Sequence, residues 1–107
     1  MLIKHKTHFG GREVWISDSW EEFESLCLRH LKSFVEKTKG MRGLSFGSFI
    51  WVESYKNIPV LVHECIHAID GIMTSMVISN DTEVRAYLVD ALIESVIAKT
   101  KTNKGKK

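Results

Sequence analysis

The chain has 107 residues, of which 44% are hydrophobic, 26% charged and 9% aromatic; this is the balance of one globular domain and excludes a fibrous or wholly disordered polypeptide. The formal net charge of +2 conceals an asymmetry: Lys99, Lys101, Lys104, Lys106 and Lys107 crowd the end, while residues 1–98 carry 10 basic against 13 acidic groups, a net of −3. Apolar runs are too short for a membrane-crossing helix, Met1–Lys6 lacks the apolar core of a secretory signal, and two cysteines, Cys27 and Cys65, are too few for a disulfide framework, so the expected setting is cytoplasmic with reduced thiols.

In chain order, two short extended runs flank Gly10-Gly11 and predict a β-hairpin. Ser17-Asp18-Ser19 supplies capping residues, with Asp18/Glu21 or Ser19/Glu22 spaced as a capping box. Trp20, Phe23, Cys27, His30, Leu31 and Phe34 then recur at helical steps and predict an amphipathic helix over 19–38, stopped near Gly40 and Gly43. Residues 44–53 (LSFGSFIWVE) are rich in aromatic and β-branched types and read as one strand, bulged at Gly47. Pro59 suits the first turn of a helix over 59–77 that is apolar almost all round and therefore expected to be buried. Ser79-Asn80-Asp81 caps a last helix, 81–98. The order β-β-α-β-α-α predicts an α+β fold: a small antiparallel sheet, hairpin plus edge strand, packed on three helices. One domain occupies 1–98, and 99–107 is expected to be a basic disordered tail. Its lysines suit weak phosphate contact with nucleic acid, although no aromatic residue interleaves them.

The chemistry lies in the second predicted helix, His63-Glu64-Cys65-Ile66-His67, an HExxH pattern. Four residues are little more than one helical turn, so His63 and His67 project from one face and can share one Zn²⁺ per chain. Glu64, one residue along, is near enough to act as a base toward water at an open metal position. Five His and nine Glu in the chain give about 0.02 chance copies of the pattern. On a buried helix, three such polar groups would be costly unless satisfied, by metal or by hydrogen bonds.

A tight zinc site needs a third ligand. The last helix carries a polar stripe, Glu83, Tyr87, Asp90 and Glu94, on one face of an otherwise apolar segment. Glu83 is the expected ligand, although Asn80 and Glu83 also have capping-box spacing. Asp90 suits a hydrogen bond from the free ring N–H of a ligating histidine. Asp70, three residues after His67, competes for either role. Tyr87 is the first candidate for stabilising an oxyanion, with Tyr55 and His30 as alternatives.

HECIH followed by TEVRAYLVDAL at the start of a second helix resembles the gluzincin group of zinc metallopeptidases. Glu83-x-x-Ala86 is also similar to a segment of small repressor-cleaving peptidases of mobile elements, and short HExxH proteins of this shape are familiar among tailed-phage reading frames. The resemblance spans about residues 44–94. It implies a zincin-like fold, His63, His67 and Glu83 on zinc, Glu64 as general base, and 44–52 as a substrate-aligning edge strand on which Phe49 and Trp51 shape a pocket. The implied activity is peptide-bond hydrolysis of a peptide or protein substrate. The alternative from the same residues is a non-catalytic zinc-stabilised binding or regulatory module, in which the metal substitutes for a large core.

Overall fold

The computed structural model describes residues 1–7, 11–75 and 82–105, with side chains as far as residue 101. Strands β1 (Leu2–Lys6) and β2 (Glu13–Ser17) pair antiparallel, with Ile3 opposite Ile16 and His5 opposite Val14. The predicted hairpin is therefore present. Thr7 closes its far end by donating from both its amide (2.7 Å) and its hydroxyl (2.9 Å) to the Arg12 carbonyl. Residues 8–10 of its turn lie outside the described residues.

Helix α1 (Trp20–Leu31) starts where the capping pattern places it: the Ser19 side chain accepts from the Glu22 amide at 3.2 Å. The reciprocal half of the box is replaced, because Glu22 takes its hydrogen bond from the Ser17 hydroxyl and Ser17 in turn accepts from the Ser19 amide. The helix ends at Leu31 rather than at 38. Lys32 adopts a left-handed conformation, φ 54°, and its amide closes on the Cys27 carbonyl, an αL cap that ends the helical ladder. Phe34, the last member of the predicted stripe, is 86% exposed.

The segment read as one bulged strand is two. β3 (Gly43–Phe46) and β4 (Phe49–Val52) form a hairpin with Phe46 opposite Phe49. Gly47 stands at the first of the two turn positions with φ 62°, a conformation that a tight hairpin turn demands and a side chain resists. β4 then pairs parallel to β2, Trp15 opposite Phe49 and Ser17 opposite Trp51, so the sheet is mixed rather than antiparallel, ordered β1-β2-β4-β3. The element order is accordingly β-β-α-β-β-α-α.

All four residues of β4 are buried because the sheet is covered on both faces. Phe49 and Trp51 pack toward α1 with Phe23 and Cys27. Ile50 and Val52, with Ile3, Val14 and Ile16, meet Leu61, Cys65, Ala68, Ile69 and Ile72 of α2 (Ile58–Ser75) and Leu88, Leu92 and Val96 of α3 (Thr82–Gly105). The fold is a small α+β arrangement with a four-stranded mixed sheet between one helix and two.

Asn57 caps α2 with its side-chain oxygen toward the Val60 amide and its carbonyl toward the Leu61 amide. Pro59 follows in the first turn, where a missing N–H costs nothing. The predicted cap at Ser79-Asn80-Asp81 lies outside the described residues. α3 continues to Gly105 instead of stopping at 98, so residues 99–105 have helical backbone where a disordered tail was expected. Lys99 donates to the Lys4 carbonyl of β1 at 2.6 Å. Residues 106 and 107 lie outside the described residues. Among the described residues no helix is long and apolar enough to cross a membrane.

Candidate metal centre on α2

Helix α2 buries one stripe: Leu61, Glu64, Cys65, Ala68, Ile69, Ile72 and Met73. This corrects the expectation of a helix buried all round, because His63 and His67 fall on the opposite face and are exposed. The cost of burying polar groups thus bears on Glu64 alone of the three.

The two imidazoles nevertheless do not splay into water. Their Nε2 atoms are 3.2 Å apart, with ring centroids at 4.7 Å and ring planes at 79°. Two nitrogens held at about 2.05 Å by one tetrahedral zinc stand roughly 3.3 Å apart, so the pair fits two vertices of such a site. A hydrogen bond between the rings spans a similar distance.

Glu64, on the flank of the helix between the histidines and the buried stripe, packs against the sheet and is only 8% exposed. Its carboxylate rests against β3: a Cβ built on Gly43 would lie 3.0 Å from Glu64 Cγ and 3.1 Å from Oε2. Neighbouring Cys65 is fully buried. Burial, reinforced by the charge of Glu64, pushes its thiol up to about 12, so it is not a ready thiolate ligand.

The remaining predicted site residues are dispersed. Asp70 is taken by Arg85 of α3, whose Nε and Nη2 reach the two carboxylate oxygens at 2.6 and 3.1 Å. This bidentate pair ties α3 to α2 one turn past His67, and it occupies the carboxylate that competed with Asp90 and Glu83 for a role beside the histidines. Glu83, Tyr87, Asp90 and Glu94 are all exposed, Tyr87 at 76%. The physical reason is that α3 buries the opposite stripe, through Leu88, Leu92 and Val96, which turns the polar stripe to solvent. Among the described residues no group of three His, Cys, Asp or Glu stands in a geometry that could hold a metal ion.

Phe49 and Trp51 do not line an edge, because β4 is an interior strand; Trp51 packs edge-on against Trp20 at 5.2 Å, and Phe49 lies beside Trp15. The edge strand of that hairpin is β3. The Tyr55 hydroxyl bonds the carbonyls of Met1 and Ile16 at 2.5 and 3.0 Å, bracing the N-terminal strand pair. His30 lies against Trp15 and Phe49 on the α1 side of the sheet, away from α2.

Two residues that the sequence reading passed over shape this centre. Gly43, read there only as a helix stop, is the first residue of β3, where Val60 and Glu64 of α2 approach closely. Arg85 carried no signal beyond being the one cation within the polar and apolar stripes of residues 82–98.

Comparison of the chain with protein-family models, with curated proteins and with solved structures finds no match.

Proposed function

We propose that the chain is a zinc-dependent metallopeptidase in which His63 and His67 hold the metal, Glu64 is the general base, and Glu83 from the first turn of α3 is the third ligand. The observation that carries this reading is the convergence of two solvent-facing imidazoles to 3.2 Å beside a carboxylate packed on an edge strand. His63 and His67 would hold a zinc ion, which when bound would supply Lewis acidity and lower the pKa of water at neutral pH. Glu64 accepts a proton from the attacking water and returns it to the leaving amine. The open edge of β3 offers main-chain groups with which an extended peptide can pair. Support for Glu83 comes from Arg85, two residues on, which is fastened beside the turn that follows His67. In the conformation described Glu83 faces solvent, so ligation entails a rearrangement of that first turn.

The reading of a non-catalytic zinc-stabilised module draws on the observation that only two ligands stand together among the described residues. Glu64→Gln separates the two. In a peptidase it leaves zinc content unchanged and abolishes cleavage of fluorescein-labelled casein. A wild-type chain that binds zinc but shows no Glu64-dependent cleavage supports the module instead.

A further inference from the structure

We propose that Gly43 is a positioning residue for Glu64: the missing side chain at the start of β3 is what lets the carboxylate seat against the edge strand. The inference rests on the reading of Glu64 as the base. On β3, Leu44 and Phe46 are opposite Trp51 and Phe49, which face α1, whereas Gly43 and Ser45 are opposite Val52 and Ile50, which face α2. Residue 43 is therefore the point at which the edge strand meets the helix that carries the histidines. A Cβ there would lie 2.7 Å from Val60 Cγ1, 3.0 Å from Glu64 Cγ and 3.1 Å from Glu64 Oε2. The first separation is a hard clash with a β-branched side chain held in one rotamer on its helix. The other two press on the Cγ methylene and the Oε2 oxygen of Glu64, whose easiest escape is away from the strand. His63 and His67 are exposed, and neither supplies one of the atoms nearest to such a Cβ. Position 43 thus governs where the base stands without touching the metal ligands.

The test separates folding from positioning. Gly43→Ala lowers both melting temperature and kcat. Adding Val60→Ala removes the hardest clash and restores the melting temperature, while the Glu64 contacts persist and shift the carboxylate by a few tenths of an ångström, so kcat on fluorescein-labelled casein stays down by about 5- to 10-fold. Val60→Ala alone is active. KM and zinc affinity remain within about threefold of wild type in every variant. Recovery of kcat together with stability in the double variant overturns the proposal, as does a loss of zinc affinity that accounts for the lost rate. A wild-type chain without Glu64-dependent cleavage defeats the peptidase reading itself. The seat is then judged by a nuclear Overhauser contact between the Gly43 α protons and the Glu64 γ protons in the zinc-free protein, whose presence upholds the seat and whose absence overturns it.

Discussion

The two faces of α2 should respond in opposite ways to truncation. Leu61 is fully buried between the sheet and α3. Leu61→Ala deletes three carbon groups at about 0.8 kcal/mol each and leaves a cavity that the sheet cannot collapse to fill, for a total of about 3–4 kcal/mol. At a urea dependence of roughly 1.5 kcal/mol per molar, the unfolding midpoint falls by about 2–2.7 M. His67→Ala, two turns along on the exposed face, removes no core contact and, in chelator-treated protein, costs less than about 0.5 kcal/mol. Urea titrations followed by tryptophan fluorescence, with both variants in chelator, measure the two values side by side. A Leu61→Ala loss below 1 kcal/mol, or a metal-free His67→Ala loss as large as that of Leu61→Ala, would refute the orientation of α2 on which the site is built.

Two further predictions concern groups outside the proposed ligand set. Burial raises the Cys65 thiol to about 12 and the Cys27 thiol to about 11, from an ordinary value of 9.0; the folded state keeps protons that the unfolded chain releases, so stability is intact below pH 9 and falls as pH rises from there toward 12, and native thiols should react with an aromatic disulfide at pH 8 only as fast as the chain opens. Tyr55→Phe removes the hydroxyl that bonds the Ile16 and Met1 carbonyls and should cost about 1–2 kcal/mol by denaturant titration, with no change in zinc affinity; a changed affinity would place Tyr55 in the site after all.

Local patterns carried the local structure. Ser19 and Glu22 announced the start of α1, and the four-residue spacing of His63 and His67 announced their shared face. What escaped depends on partners distant in sequence. LSFGSFIWV contains no polar turn cluster apart from Gly47-Ser48, so its hairpin looked like one strand. Phe34 prolongs the helical spacing past Leu31, yet Lys32 takes an αL conformation that the spacing does not reveal. The parallel pairing of β2 with β4 leaves no mark in either strand, and it is what buries Phe49 and Trp51. A polar stripe such as Glu83-Tyr87-Asp90-Glu94 has the same period whether it faces a metal or solvent. Its direction is set by Leu88, Leu92 and Val96 on the other side of α3.

Equilibrium zinc binding to the purified chain, measured by competition with a chromophoric chelator alongside His63→Ala and His67→Ala, bears most directly on the central claim. The account predicts about one zinc per chain, with affinity reduced on the order of 100-fold or more in either variant. Wild-type protein that binds zinc no more tightly than the two variants would contradict it.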